Sequence, residues 1–229
     1  ETFEASGRLA RKVEGLAAND ELLRRAAEGR GLTRPELAVL LSTAKLALQD
    51  AIEHSDLPND PALGSDLAAA FPAEMQRDFA GAIADHQLRR EIIATKIANR
   101  IINRMGIVHP FELVEEEGCA LGDIAAAFVA VERLLEMPAI WDALDDAKID
   151  EAVRLSLFAQ ASSAMTSQMA DLLRVTQTLA QAGPVVARLE PGVDRLMTGV
   201  DALLSPSVKR QWDMLTQQLL DAGAPEALT

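Results

Sequence analysis

The chain has 229 residues, a formal net charge of −13 and 49% hydrophobic residues, yet only six Phe, two Trp and no Tyr. This aliphatic composition, led by Ala and Leu, favours packed helices over a sheet, because no long stretch alternates with period two. The negative charge disfavours a nucleic acid or an anionic membrane as partner. The sequence contains no run of 18 apolar residues, so no transmembrane helix is predicted. A single cysteine, Cys119, fits a reducing, cytoplasmic location.

The first third of the chain contains one well-marked helix. Residues 3–17 show only a weak helical period. Thr33 and Glu36 have the spacing of a capping box, and Pro35 suits the first turn. A helix is therefore predicted from this point to about His54. Its predicted buried stripe comprises Leu37, Leu40, Leu41, Ala44, Leu48 and Ile52.

Residues 86–106, HQLRREIIATKIANRIINRMG, form the longest amphipathic run with a clear stop signal. At 100° per residue, the isoleucines and alanines fall on one face, which also contains Arg90. Gly106 suits a left-handed C-cap. A polar stripe with i, i+4 spacing runs along one flank: Thr95, Asn99 and Asn103. We predict that this is the central helix of an all-α domain.

The pattern of the C-terminal half predicts further helices. Pro110 begins a short one, and a longer apolar stripe follows Asp123. Residues 149–182 predict one long helix, which Gly183 and the following proline would stop. The last helices have the pattern of an antiparallel bundle. The predicted fold class is thus all-α, an irregular multi-helix bundle with a long helix near residues 149–182 and no sheet.

The sequence contains no recognisable reaction motif. Neither GxGxxG nor GxxxxGK[ST] occurs, and the three histidines lie far apart and outside any HExxH or ExxH pattern. We therefore name no catalytic, cofactor-binding or metal-ligating residue. Cys119 has no CxxC partner and reads as an ordinary small apolar residue.

Two polar features of the central helix have alternative interpretations. Arg90 could bind an anionic ligand or a partner's carboxylate. The alternative, which the need to pair a buried arginine favours, is a structural salt bridge with Glu36 or with the neighbours of Glu91. Asn99 and Asn103 could belong to a polar recognition face, or to a solvated or interhelical flank. These three residues are the candidate contacts for a partner or an effector.

Three stretches have an order and spacing that suggest a known family. They are GLTRPELAVLLSTAK (31–45), FPAEMQRDFAGAIADHQLRREIIATKIANRIINRMG (71–106) and FELVEEEG (111–118). Together they resemble the C-terminal part of the large bacterial NAD-specific glutamate dehydrogenases, with the likeness covering about residues 19–150. Thr43 departs from the aromatic residue expected there, and residues 162–174 lack the usual Arg/Trp-rich pattern.

The resemblance implies a parent enzyme that oxidatively deaminates L-glutamate to 2-oxoglutarate and ammonium with NAD. Its catalytic and NAD-binding residues would lie N-terminal to this sequence, so no catalytic residue and no cofactor is assigned here. Residues 1–148 would be the helical C-terminal region with the family-like motifs. Residues 149–229 would form an antiparallel bundle, which could pack on the first part as one domain.

We therefore expect a non-catalytic C-terminal region with an assembly or regulatory role. Its expected partners are the N-terminal and catalytic parts of its own parent chain, in a homo-oligomer, with no nucleic acid and no membrane. The chain opens at Glu1 inside a helical pattern, which suggests a piece of a longer protein. An effector-binding helical module and a free-standing helical adaptor are the alternatives.

Overall fold

The computed structural model describes residues 2–176 and 179–221, without the side chains of residues 218 and 219. Within these residues it contains thirteen α-helices and no strand, which confirms the all-α class. Numbered in chain order, the helices are α1 Thr2–Ala5, α2 Asn19–Ala27, α3 Arg34–Glu53, α4 Gly64–Ala68, α5 Ala73–Asp78, α6 Ala80–Ala84, α7 Arg89–Met105, α8 His109–Glu117, α9 Leu121–Leu134, α10 Met137–Asp146, α11 Glu151–Val175, α12 Gly183–Leu203 and α13 Pro206–Asp221. Two 3₁₀ turns, Leu57–Asn59 and Pro61–Leu63, lie between α3 and α4.

Helix α3 begins where its capping residues predict. The Glu36 backbone N–H donates to Thr33 Oγ1 at 3.4 Å, and the Thr33 backbone N–H donates to Glu36 Oε2 at 2.7 Å. Pro35 occupies the first turn, where a missing N–H costs no helical hydrogen bond. These local contacts fix the start of the helix whatever packs on it later.

The buried stripe of α3 is shorter than predicted. Ala44, Leu48 and Ile52 are fully buried, but Leu37 and Leu41 remain 44% and 39% exposed. The buried apolar residues of α3 are concentrated in its later turns, and α7 is the helix that contacts α3 most. The apolar face of α3 therefore extends beyond the core of this chain.

Helix α7 is central, as predicted, but it shares that position with α9. The isoleucines Ile93, Ile97 and Ile101 are fully buried, and α7 packs mainly against α3. Helix α9 is buried on nearly every side and contacts α3, α7, α8, α10, α11 and α12. Gly106 ends α7 with φ +79° and ψ −176°, a positive φ as expected but outside the left-handed helical region.

The predicted helix over residues 149–182 is too long. Helix α11 ends at Val175, and Thr176 is extended with φ −119° and ψ 107°. Residues 177 and 178 lie outside the described residues. Gly183 and Pro184 open α12 instead of stopping α11, because proline in a first turn is compatible with a helix start. Helix α12 then continues through Pro191 without a break.

The weak helical period in residues 3–17 corresponds to a helix only at Thr2–Ala5. The following residues form turns, with positive φ at Gly7 and Gly15. Arg11 holds this segment together by donating to both Glu4 carboxylate oxygens, at 3.0 and 2.5 Å. Side-chain hydrogen bonds therefore stabilise this segment, which has no helix after Ala5.

Helices α11 and α12 pack on α9, so residues from both sides of position 148 contribute to one hydrophobic core. Met165 and Met169 of α11 are fully buried in that core. The division of the chain into two regions at residue 148 stays a prediction. Among the described residues, no helix combines the length and hydrophobicity needed to cross a bilayer.

Candidate functional site

Arg90 clamps the loop that follows α3. Its guanidinium donates to the backbone oxygens of Glu53 and Ser55, with Nη2 at 2.5 and 2.7 Å, and to Asn59 Oδ1 at 2.7 Å. The last carbonyl oxygens of a helix have no hydrogen-bond donor within the helix, and a guanidinium at this position supplies one. The proposed ion pair with Glu36 is wrong, because Glu36 pairs with Arg25 at 2.9 Å.

The two asparagines lie elsewhere on α7. Asn103 is exposed, and its Oδ1 accepts a hydrogen bond from Lys45 Nζ of α3 at 3.1 Å, while Asn99 is half-buried. Arg90 and Asn99 are nine residues apart, which places them about half a turn apart around the helix. The structure therefore does not bring the three candidate contacts into one cleft. Their role in binding a partner or an effector stays a prediction.

A charge cluster around the buried Glu132 joins α4, α7 and α9, and sequence reasoning missed it. Arg100 pairs with Asp66 at 2.6 Å and with Glu132 at 2.9 Å. Arg133 donates to Asp66 Oδ2 at 3.2 Å and to the Ala62 oxygen at 2.7 Å. The sequence feature that could have indicated this cluster is Glu132, an acidic residue that directly follows the apolar run of α9.

The cluster contains one buried acid, Glu132, among partly exposed partners. Glu132 is 2% exposed, and burial raises its pKa, while the charge of Arg100 opposes that rise. Both carboxylates already face arginines, which is the pairing that buried charges require. Through these ion pairs the cluster links α4, α7 and α9.

Cys119 and the histidines do not form a reactive centre. Burial, with Asp123 as a second cause, raises the pKa of the Cys119 thiol, which disfavours the nucleophilic thiolate. His54 contacts Asp50, and His109 lies 3.4 Å from Glu112, on separate elements. Within residues 2–176 and 179–221, no group of three or more His, Cys, Asp or Glu could hold a metal ion.

Helix α13 presents the clearest surface for an interaction. Within the described part of the chain it makes no extended contact with another helix. A cleft of about 230 Å³ lies between it and the end of α12, lined by Val200, Leu204 and Trp212 among others. Its large apolar side chains remain exposed: Val208 at 40%, Trp212 at 58%, Met214 at 62%, Leu215 at 45% and Leu220 at 41%. Such a concentration of apolar side chains is typical of an interaction surface.

These features define an all-α module with one hydrophobic core and an amphipathic helix whose apolar side chains are exposed. Residues 29–229 match the family model described as "Glutamate dehydrogenase, C-terminal". The chain therefore belongs to the family of glutamate dehydrogenase C-terminal regions, as the sequence motifs suggested.

Curated relatives of this chain are also glutamate dehydrogenases. The NAD-specific glutamate dehydrogenase of Pseudomonas aeruginosa is 33% identical over 228 residues, and that of Halomonas elongata is 30% identical over 234 residues. Each alignment covers 99% of this chain but only 14% of the relative. The NAD-specific glutamate dehydrogenase of Mycobacterium tuberculosis is 34% identical over 149 residues, which are 64% of this chain and 9% of the relative.

Proposed function

We propose that this chain is a non-catalytic C-terminal region that assembles an NAD-dependent glutamate dehydrogenase. The parent enzyme would convert L-glutamate to 2-oxoglutarate and ammonium in the cytoplasm, with its catalytic and NAD-binding residues in the remaining sequence. Family membership and the names of the curated relatives support the parent activity. Under this proposal, the isolated chain does not reduce NAD when glutamate is added.

The uncovered face of α13 carries the assembly proposal. Val208, Trp212 and Leu215 recur at four- and three-residue steps, so they share one side of the helix. Tryptophan is enriched among the few residues that dominate the energetics of protein–protein interfaces, which makes Trp212 the expected anchor of this face. Burial against a partner would remove these side chains from water, which stabilises association.

A second copy of the chain is the partner that fits this face. Lys209 and Asp213 lie one turn apart beside Trp212, so an antiparallel copy can place each charge opposite its counterpart. A two-fold interface needs this self-complementarity, because the same surface serves both subunits. Helix α13 would then form a symmetric contact between two subunits.

Light scattering behind a sizing column, over a range of concentrations, tests the assembly role. We expect a dimer or a larger species whose mass is retained on dilution, and we expect Trp212→Asp to shift it toward monomer. Leu155→Asp is the matched control, since Leu155 is 59% exposed but lies on α11. A monomeric wild-type chain at every concentration would overturn the proposed interface.

The effector-binding alternative has less support. Its main anchor, Arg90, already donates to two backbone oxygens and to Asn59, so an anionic ligand would have to displace those contacts. Thermal unfolding can be measured with a panel of amino acids, 2-oxo acids and nucleotides. A higher unfolding temperature with one of these compounds would support effector binding, since a ligand that prefers the native state stabilises the protein.

A further inference from the structure

Two acids share Arg100 in the charge cluster between α4, α7 and α9. Arg100 Nη1 lies 2.6 Å from Asp66 Oδ1, and Arg100 Nε lies 2.9 Å from Glu132 Oε2. Asp66 has a second partner, because Arg133 Nη2 lies 3.2 Å from its other oxygen. Within the described residues, Glu132 forms no second ion pair. Glu132 is therefore the less well paired of the two acids.

Glu132 is also the more deeply buried acid. Its side chain is 3% exposed, against 11% for Asp66, and its Oε1 has no hydrogen-bond partner in the part of the chain that the structure describes. A buried carboxylate with an unpaired oxygen favours the neutral form, because its charge loses hydration that the protein does not fully replace. Burial accordingly raises the pKa of Glu132; Arg100 opposes that rise and the charge of Asp66 adds to it. A proton taken up by the cluster therefore binds first at Glu132.

Trp141 of α10 faces the same carboxylate. The residue is 2% exposed, and its indole N–H lowers the pKa of Glu132. The charged groups around Glu132 come from other helix positions, namely Arg100 of α7, Asp66 of α4 and Arg133 of α9. An indole N–H interacts more strongly with a carboxylate than with a neutral carboxylic acid. The charge of Glu132 thus acts on both α7 and α10.

We propose that Glu132 is a proton-sensitive junction of the helical core. Its ionised form joins α9 to Arg100 of α7 and to the indole of Trp141, and protonation releases both contacts. Arg100 then keeps its ion pair with Asp66, so α7 stays joined to α4 while its charge contact with α9 is lost. This role is independent of the proposed assembly through α13, and either can fail without the other.

The indole NMR resonances of the two tryptophans test the junction directly. In the isotopically labelled chain, Trp212→Phe assigns the resonances, and the pH of the wild type is raised from about 4 to about 8, across the range in which a raised glutamate titrates. We expect the Trp141 resonance to move in one step with a midpoint above pH 4.5, the ordinary glutamate value, and Glu132→Gln to abolish that step. Trp212, which is 58% exposed on α13, is the internal control and should show no such step. A Trp141 resonance that does not move, or a step that persists in Glu132→Gln, would overturn the proposal.

Asp66→Asn provides a second test that does not require Glu132→Gln to fold. It removes the like charge and leaves Arg100 to Glu132 alone, so the midpoint of the Trp141 step should fall. Asp201→Asn, at an exposed position of α12, is the matched control and should leave the midpoint unchanged. An unchanged or higher midpoint in Asp66→Asn would contradict the sharing of Arg100.

Urea unfolding checks the sign of the proton linkage. The raised pKa means that the folded chain holds the proton of Glu132 more tightly than the unfolded chain does. The stability of the wild type relative to Glu132→Gln should therefore be greatest below about pH 4.5 and should fall as the pH rises through the folded-state pKa. A relative stability that rises or stays constant over this range would refute the junction.

Discussion

Gly183 donates its backbone N–H to Asp60 Oδ2 at 2.6 Å, across 123 positions of the chain. Asp60 is 1% exposed, and its other oxygen accepts from the Ala62 N–H at 2.9 Å. One carboxylate thus caps the turn before α4 and also holds the first residue of α12, where the positive end of a helix dipole favours an anion. This bond ties the C-terminal helices to the loop between α3 and α4.

Replacing Asp60 should therefore destabilise the whole fold. Asp60→Ala leaves the N–H groups of Ala62 and Gly183 without this acceptor, and we expect a loss of about 2–4 kcal/mol in unfolding free energy. Urea denaturation followed by circular dichroism measures it. The control Asp201→Ala removes an exposed aspartate of α12 and should change stability by less than about 0.5 kcal/mol. A similarly small loss for Asp60→Ala would contradict its anchoring role.

The same contact explains why residue 183 is glycine. A Cβ at Gly183 would lie 2.7 Å from Asp60 Oδ1 and 3.0 Å from the Ala62 Cβ. Gly183→Ala must push this buried carboxylate aside, so we expect a loss of about 1–3 kcal/mol. Gly199→Ala in the same helix meets no atom within 4 Å and should stabilise by about 0.5–1 kcal/mol. Thermal or urea unfolding measures both changes in stability. If both substitutions stabilised the protein, or both destabilised it, the close-contact argument would be refuted.

Arg90 provides a test of the loop clamp. Arg90→Ala removes charge-assisted hydrogen bonds to the Glu53 and Ser55 oxygens, and we expect a loss of about 2–4 kcal/mol. Arg90→Lys keeps the charge but loses the planar fork, so an intermediate loss should follow. Lys96→Ala, on the same helix, controls for removing a long cationic side chain. A loss for Arg90→Ala below about 0.5 kcal/mol would place the clamp among weak surface contacts.

Glu36 should make stability depend on pH in the acid range. Its pKa is lowered from 4.5 to about 2, first by the Thr33 backbone N–H and hydroxyl and then by Arg25, against the opposing effect of burial. A carboxyl with a lowered folded-state pKa contributes stability that is present above about pH 4.5 and is lost as the pH falls toward 2. Glu36→Gln should therefore flatten the stability curve between these values. Glu74→Gln, at an exposed position, should leave the curve unchanged, and identical curves for both variants would argue against this mechanism.

Helix termini with local signals were predictable. Thr33 and Glu36 exchange hydrogen bonds within one turn, so the start of α3 follows from residues next to one another. Gly118 ends α8 with φ +65°, again a local property of one residue. Gly183 and Pro184 were misread because glycine followed by proline is compatible with the end of one helix and with the start of another.

The candidate site was less predictable. The amphipathic period placed Arg90 on the apolar face of α7, but its acceptors come from a loop more than thirty residues away. Trp212 gave no signal beyond helical spacing, because exposure depends on which helices pack together. Asp60 and Glu132 likewise owe their roles to partners that are distant in sequence.

The all-α class, the central position of α7, several helix starts and the family could be predicted from the sequence, since these depend on composition, periodicity and short ordered motifs. The contacts between helices were needed to show that α9 shares the centre, that Asp60 joins Gly183, and that apolar side chains of α3 and α13 stay exposed. The physical reason is that capping and helical periodicity act over a few residues. Burial and charge pairing depend instead on contacts between elements that are far apart in the chain.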